Sequence, residues 1–447
     1  MELRINDRIR KTTISLFNHV KVNLKYDSIA STFSFEYFFN PDNITHKELS
    51  CIGHYHIAEL WHDNQLLLTG YVLSIAFNSS AVAQLVSVGG YSLPGALEDC
   101  DIPVGIEGMT LDNTALTLTQ IASRYLQPFG IGLIVDGKVI NEANEVTASQ
   151  YQGNQNPIEN TNPAITPYEQ TNSFAELMQK PVTLGPPNPD NPGSVACANT
   201  SPDGVKDKYG IVITPWGSDD ETVTEKMDTS IFSANAQIGQ NIKSYLSKLA
   251  SFQNIILSHD EYGNVVFTKS KINHKVVATF NFNKGAIPGT TASLSFNGQA
   301  MHSHIIAVQQ PNADPTGTVF PGGMSSLRNP YVPYVFRPKV IKVESYNDGI
   351  DHTLTAAKNY LCNELRNLKV IITTDRWTFQ SGKVIKPNHC IVIQNDEIYL
   401  YRPAKFFIES VELEGDEKKQ VAKLTCVLPS CYDYSQPTYL FHGINLH

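Results

Sequence analysis

The sequence predicts a mainly β protein with an α+β middle, and three observations predict it. Apolar and polar residues alternate with a period of two in residues 20–39 and 66–101. The period becomes helical after Pro103. Strand patterns return from Val276 and continue almost to the C-terminus. The composition agrees, because 20 Tyr and 20 Phe suit pleated sheets better than helical bundles.

In the N-terminal part, Val20, Val22, Leu24 and Tyr26 alternate with Lys21, Asn23, Lys25 and Asp27. Phe33, Phe35, Tyr37 and Phe39 alternate with Thr32, Ser34 and Glu36. These are two half-buried strands joined by a turn at 27–30. A strand over 54–61 and a polar turn at 62–65 lead into residues 66–101. There Leu67, Tyr71, Leu73, Ile75 and Phe77 form the expected buried face, opposite Gly70, Ser74 and Ala76. A turn at 78–80 precedes a second strand over 81–88, which Gly89-Gly90 should end. About six short strands are expected in residues 1–95, enough to close a small barrel or sandwich.

In the middle part, Leu118, Ile121, Ala122, Tyr125 and Leu126 share one helical face, capped by Asp112 or Thr114. A strand follows at 131–135. A second helix carries Ile242, Tyr245, Leu246, Leu249 and Phe252, and leads to strands at 254–257 and 265–268 around a turn at 259–264. Two helix-then-strand units read as one α+β domain over 96–275. It is interrupted at 137–228, where residues 151–205 hold nine of the 25 prolines and sustain no period. Residues 173–180 have room for one or two helical turns. The interruption reads as a surface insertion, one reaching to a neighbour, or a floppy linker.

The second β unit spans 276–435. Its strands fall at 276–282, 292–296, 304–309, 338–346, 369–378, 390–394, 397–401, 406–413 and 421–428. A helix at 351–367 carries Leu354, Ala357, Leu361 and Leu365, and a charged turn at 414–417 joins the last two strands. Residues 436–447 read as a C-terminal arm.

Bulk numbers narrow the function. The net charge of −9 argues against an extended nucleic-acid groove. The seven cysteines have no CxxC spacing and read as reduced, mostly buried thiols. The first residues lack the apolar core of a signal peptide, and no apolar run reaches transmembrane length. HExxH, GxxxxGK[ST] and GxSxG are absent. Two histidine sets, His54, His56, His62 and His302, His304, have strand spacing for zinc but lack accompanying ligands; a polar strand face is the commoner meaning. Glu409, Glu412 and Glu414 have carboxylates for a glycosidase pair, yet a charged strand rim is the simpler account. The turn at 259–264 is too short for an EF-hand loop. No catalytic, cofactor or metal residue is therefore assigned, and a non-enzymatic protein is expected.

The order of elements resembles the baseplate hub proteins of contractile phage tails. That family includes the Mu-like hub, the late control protein D family and the base of type VI secretion spikes. Four places carry the resemblance: 20–39, with Ser28 in its turn; the hairpin 60–72 with Leu-Thr-Gly-Tyr-Val and the Gly-rich 88–99; the helix and Gly-Asn hairpin of 241–269; and the closing strands at 379–382, 387–393, 406–414 and 420–429. The insertion departs from the family, which joins the two middle units by a short link. The resemblance implies two small tube-like β-barrel domains flanking the helix-containing one, and a homotrimer whose six barrels match a six-fold tail tube above and a three-fold spike below. It implies as partners the tail tube protein, the central spike protein, the tape measure and other baseplate proteins, with no sequence-specific nucleic acid. The implied location is the virion tail baseplate, assembled in the host cytoplasm. A receptor- or carbohydrate-binding tail protein is the alternative, and a cell-wall hydrolase a third.

Overall fold

A computed structural model describes residues 1–6, 11–79, 84–103, 111–113, 116–135, 138–141, 144–147, 206–216, 230–231, 235–252, 255–269, 274–310, 312–313, 319–320, 322–343, 352–416 and 418–441. The expected helical turns at 173–180, the end of the arm and most of the insertion lie outside these residues.

Seven strands, one more than expected, form the N-terminal part: β1 (Glu2–Asn6), β2 (Lys11–Ile14), β3 (His19–Lys25), β4 (Thr32–Phe38), β5 (Ile57–His62), β6 (Gln65–Ser79) and β7 (Gln84–Ser92), with helix α1 (Ile44–Leu49) between β4 and β5. The alternation in β3 and β4 holds as read, with Val20, Val22, Phe33 and Phe35 almost wholly buried. The β5–β6 turn places Asp63 and Asn64 at positive φ, which these residue types tolerate.

The face assignment in β6 is corrected. Leu66, Leu68, Gly70 and Val72 point inward, while Leu73 is 38% and Phe77 46% exposed. The register against β7 shifts between Val72 and Ser74, a bulge that re-aims the strand there. Leu66-Leu67-Leu68 is apolar at every position, so alternation alone does not choose a face. Gly89-Gly90 also does not end β7, which runs on to Ser92. A Cβ at Gly90 would lie 1.7 Å from the Tyr71 carbonyl oxygen. The pair is a place of close backbone approach inside a strand.

The described helices and strands of the middle unit lie close to where their periods place them. Helix α2 (Leu118–Leu126) leads to β8 (Leu133–Val135), which pairs with the hairpin β9 (Lys138–Asn141) and β10 (Asn144–Thr147). Helix α3 (Ile242–Phe252) leads to the hairpin β11 (Ile255–His259) and β12 (Val265–Lys269). Strands β8 and β12 pair in parallel, making one five-stranded sheet. The cap of α2 is neither Asp112 nor Thr114 but Thr117, in a capping box with Gln120. Leu118, Ile121, Tyr125, Leu246 and Phe267 make this core, which Ile29 of the β3–β4 turn enters.

The C-terminal part has β13 (Val276–Asn281), β14 (Thr290–Phe296), β15 (His304–Gln309), β16 (Gly323–Arg328), β17 (Pro338–Val343), helix α4 (Thr353–Leu365), β18 (Leu368–Thr374), β19 (Cys390–Asn395), β20 (Leu400–Gly415) and β21 (Gln420–Val427). Strands β15, β16 and β17 do not join their neighbours in sequence. They form a separate three-stranded sheet under α4, with Ile305, Ala307, Leu327, Ala357 and Leu361 between. The other six join β1–β7 in one 13-stranded sheet. The junction is β3 on β20, antiparallel from Lys25↔Ser410 to Val20↔Gly415. A single core runs beneath it, from Leu3, Val22 and Leu60 through Phe406 and Leu413 to Leu424. The arm's described start is not free, since Tyr331 packs on Tyr439 and Phe441 and donates to the Thr438 carbonyl at 2.8 Å.

Gly90→Ala is expected to lower the urea midpoint by the equivalent of about 2 kcal/mol or more, because the obstacle is backbone. Gly89→Ala should cost less, since its nearest neighbour is the rotatable Ser74 hydroxyl. Equal losses would contradict the close approach at Gly90.

Candidate functional site

One group of charged residues lies on the β3–β20 seam. Lys21 and Glu414 stand opposite one another across it. Lys21 Nζ lies 2.5 Å from Glu412 and 3.9 Å from Glu414, and His19 Nε2 lies 3.3 Å from Glu414. Glu412 and Glu414 are therefore a charged rim stitching two strands. Glu409 points the other way. It is 9% exposed and accepts a 2.8 Å hydrogen bond from the Tyr432 hydroxyl.

Glu409 belongs to a network that sequence reasoning missed. Arg366, just after α4, donates to Asp27 in the β3–β4 turn. Its Nε is 3.7 Å from Glu409, and its guanidinium lies 4.6 Å from the Tyr432 ring centre. Tyr26 adds edge contacts to Phe407 and Tyr432. Burial pushes the Tyr432 phenol far up, so it stays a donor to Glu409. These residues are far apart in the chain, and no spacing rule links them.

The histidines separate into unlike environments. His54 and His56 stack edge-on at 5.3 Å, and His56 Nε2 lies 3.0 Å from the Glu48 carbonyl oxygen. His62 packs on the Trp377 ring, and burial lowers its pKa. His302 pairs with Glu364. His304 is 1% exposed, with Nδ1 2.8 Å from Ser303 Oγ and Nε2 2.8 Å from Asp207 Oδ2, out of line for a hydrogen bond. Ser, His and Asp thus meet, but Ser303 is buried and its oxygen accepts the Arg337 N–H. No exposed nucleophile results. Among the described residues, no three His, Cys, Asp or Glu side chains gather as metal ligands.

Asp207 lies in the described end of the insertion. Its Oδ1 accepts the N–H groups of Tyr209 and Ile211, shaping a small hairpin. Thr214 pairs with Ser326 on the β16 edge, and Trp216 donates to the Tyr434 carbonyl at 2.8 Å. The insertion leaves the middle sheet and returns along the three-stranded one.

The expected turn at 259–264 docks the middle unit on the first β unit. Asp260 caps it, and His259 Nδ1–H donates to the Ser28 carbonyl at 2.6 Å. A cleft of about 590 Å³ opens beside it, lined in part by Lys25, Asp260, Glu261 and Lys386. The thiols of Cys362 and Cys390 are pushed up by burial to about 12 and about 11, which makes them packing groups rather than nucleophiles. No described helix is long and apolar enough to cross a membrane.

Fold and seam define the class first: a mainly β chain with an α+β middle and curled sheets, whose described ionic clusters bind strand to strand. The comparisons then give that class known forms. The chain superposes on the 43 kDa tail protein of prophage MuSo2 from Shewanella oneidensis with a TM-score of 0.62, at 15% identity, over 97% of this chain and 99% of that one. It superposes on a tail protein from Neisseria meningitidis MC58 with a TM-score of 0.59, at 12% identity, over 97% and 98%. The chain has the fold of phage tail proteins. No family model and no curated protein matches the sequence.

Arg366→Met should strand Asp27 and Glu409 and cost about 2–4 kcal/mol in denaturant titration, less than a wholly buried pair because Arg366 is 29% exposed. Lys21→Ala, on the solvent side, should cost under about 1 kcal/mol. A reversed order would remove the network's role. Burial disfavours the Asp207 charge, but the Ile211 and Tyr209 N–H groups, and then His304, hold its carboxyl below the ordinary value. Its stabilising contribution is therefore present at neutral pH and lost as acid protonates it. Trp216 emission should shift red on acidification, and at neutral pH in Asp207→Asn. Unchanged emission in that variant would refute a role for Asp207 in holding residues 206–216 against Tyr434.

Proposed function

We propose that this chain is the baseplate hub of a phage tail or related contractile injection machine, a structural protein that forms homotrimers. Each protomer presents its two tube-like β units, residues 1–95 and 276–435, so that three protomers offer six to the tail tube and keep three-fold symmetry toward the central spike. The helix-containing residues 96–275, with the insertion at 137–228, and the arm at 436–447 decorate that frame. The tape measure and other baseplate proteins are further partners in the virion tail, which is assembled in the host cytoplasm. The acidic total charge suits a channel that must pass DNA without holding it.

The observation that carries this reading is likeness to two tail proteins over almost the full length of both chains. Topology supports it: β2, β13 and β14 each pair on one side only among the described residues. Open edges of this kind suit pairing with neighbouring protomers, which removes them as aggregation templates.

The mass of the purified protein in solution should be three times the 49.5 kDa of one chain. Particle images should show a three-fold ring with a central hole. A stable monomer that is absent from purified tails would overturn the reading. Release of peptidoglycan fragments, abolished by one His or Glu substitution, would favour a hydrolase instead.

A further inference from the structure

Residues 206–216 end against a segment from the far end of the chain. Their hairpin is closed by the Asp207 carbonyl, which accepts the Gly210 N–H at 3.0 Å, and Asp207 Oδ2 lies 2.8 Å from His304 Nε2. The Thr214 N–H then donates to the Ser326 carbonyl at 2.8 Å, and Thr214 Oγ1 accepts the Ser326 N–H at 2.9 Å. Trp216 packs against the core between α4 and the three-stranded sheet, with the Lys358 ammonium 5.6 Å from its ring centre. Lys358 is 2% exposed, and a cation over an indole face is held more firmly where water is excluded.

The indole N–H of Trp216 donates to the Tyr434 carbonyl at 2.8 Å. Tyr434 follows the short helix Ser430–Asp433 and has φ 50° and ψ 22°, in the left-handed region. A bulky residue is strained there and persists only where its surroundings hold it. Two described groups do so. Trp216 takes its carbonyl, and Asp433 Oδ1 accepts the next N–H, that of Ser435, at 2.8 Å. The turn sets the direction of the chain that follows. Before it, Cys431 and Tyr432 are buried. After it, the chain runs to Tyr331, whose hydroxyl donates to the Thr438 carbonyl and whose ring meets Tyr439 and Phe441.

We propose that residues 206–216 form a strap that sets the C-terminal arm: Trp216 holds Tyr434 in its left-handed turn, and the turn directs residues 435–441 onto Tyr331. Strap and arm are then coupled, and such coupling is reciprocal. Lifting Trp216 frees Tyr434 to relax toward negative φ, which re-aims the arm. Pulling the arm off Tyr331 removes a restraint on Tyr434 and weakens the acceptor that Trp216 needs. The element with two arrangements is the backbone of one residue, which both sides bias. An insertion that interrupts the middle unit thereby governs the end of the second β unit. The device works within one chain, so it stands apart from the hub reading.

The test is amide hydrogen exchange of the full chain, read in residues 206–216, in residues 435–441 and, as a reference, on the β3–β20 ladder. Trp216→Phe keeps a ring and removes the N–H. It is expected to quicken exchange in residues 435–441 severalfold while the ladder keeps its rate. Tyr331→Phe removes the hydroxyl that holds Thr438, and is expected to quicken exchange in residues 206–216. Glycine carries no Cβ penalty in the left-handed region. In a Tyr434→Gly background, the effect of Trp216→Phe on the arm is therefore expected to shrink. Wild-type rates in the arm of Trp216→Phe, or in residues 206–216 of Tyr331→Phe, would overturn the proposal. So would an equal effect of Trp216→Phe with and without Tyr434→Gly, because Trp216 would then act elsewhere. Exchange that quickens evenly in all three regions would also overturn it, since that reports a general loss of stability.

Discussion

The structure depends on one pairing between strands nearly at opposite ends of the chain. The ladder of Val20–Lys25 on Ser410–Gly415 satisfies the outer backbone groups of β3 and of the second half of β20 at once. Without it, each β unit would expose a long edge flanked by apolar residues. Strand β20 makes this possible by its length. Its first half pairs with β19 and its second half with β3, while β21 takes its other side. A 16-residue strand is thus shared by two units. Closing so long a loop costs entropy that grows only slowly with length. The common core under Val22, Leu24, Val411 and Leu413 supplies the compensating burial.

Polar groups add specificity to that burial. Arg366, Asp27, Glu409 and Tyr432 come from four separate segments and satisfy one another only when the two β units and α4 are docked. Taken singly, Glu409 would be a costly buried charge. The network therefore penalises a shifted β3–β20 register more than the correct one is stabilised by it. His259 and Ser258 extend the same principle to the middle unit, holding the carbonyls of Ser28 and Tyr26 at the far end of β3.

How much of this was legible in the sequence follows from the range of each interaction. Elements decided by their own residues were readable: the alternation of β3 and β4, the apolar stripes of α2, α3 and α4, and the polar turns at 62–65 and 259–264. The β6 face was not, because Leu66-Leu67-Leu68 has no alternation and the bulge after Val72 is set by β7. The Gly89-Gly90 pair looks like a strand end in one dimension, and only the Tyr71 carbonyl shows it to be an interior contact. Sequence order also placed β15 and β17 with the second β unit, whereas their packing against α4 takes them out of the large sheet. Of the candidate polar residues, Glu412 and Glu414 of β20 form the rim that was read, whereas Glu409 turns inward to Tyr432 and Arg366. The pairing of His304 with Asp207 was invisible because the insertion and the 304–309 strand look unrelated.

That pairing changes the meaning of the insertion. A linker would leave the middle sheet and return to it without touching anything else. Here the described segment 206–216 first lies along β16, placing Asp207 on His304, Thr214 on Ser326 and Trp216 against Tyr434. It covers the outer edge of β16, so the three-stranded sheet is closed by α4 on one face and by the insertion on one edge. The β17 edge is blunted by proline and lysine. The face opposite α4 is covered at its His304 and Ser326 end by the same segment, which leaves Met324 and Val340 exposed.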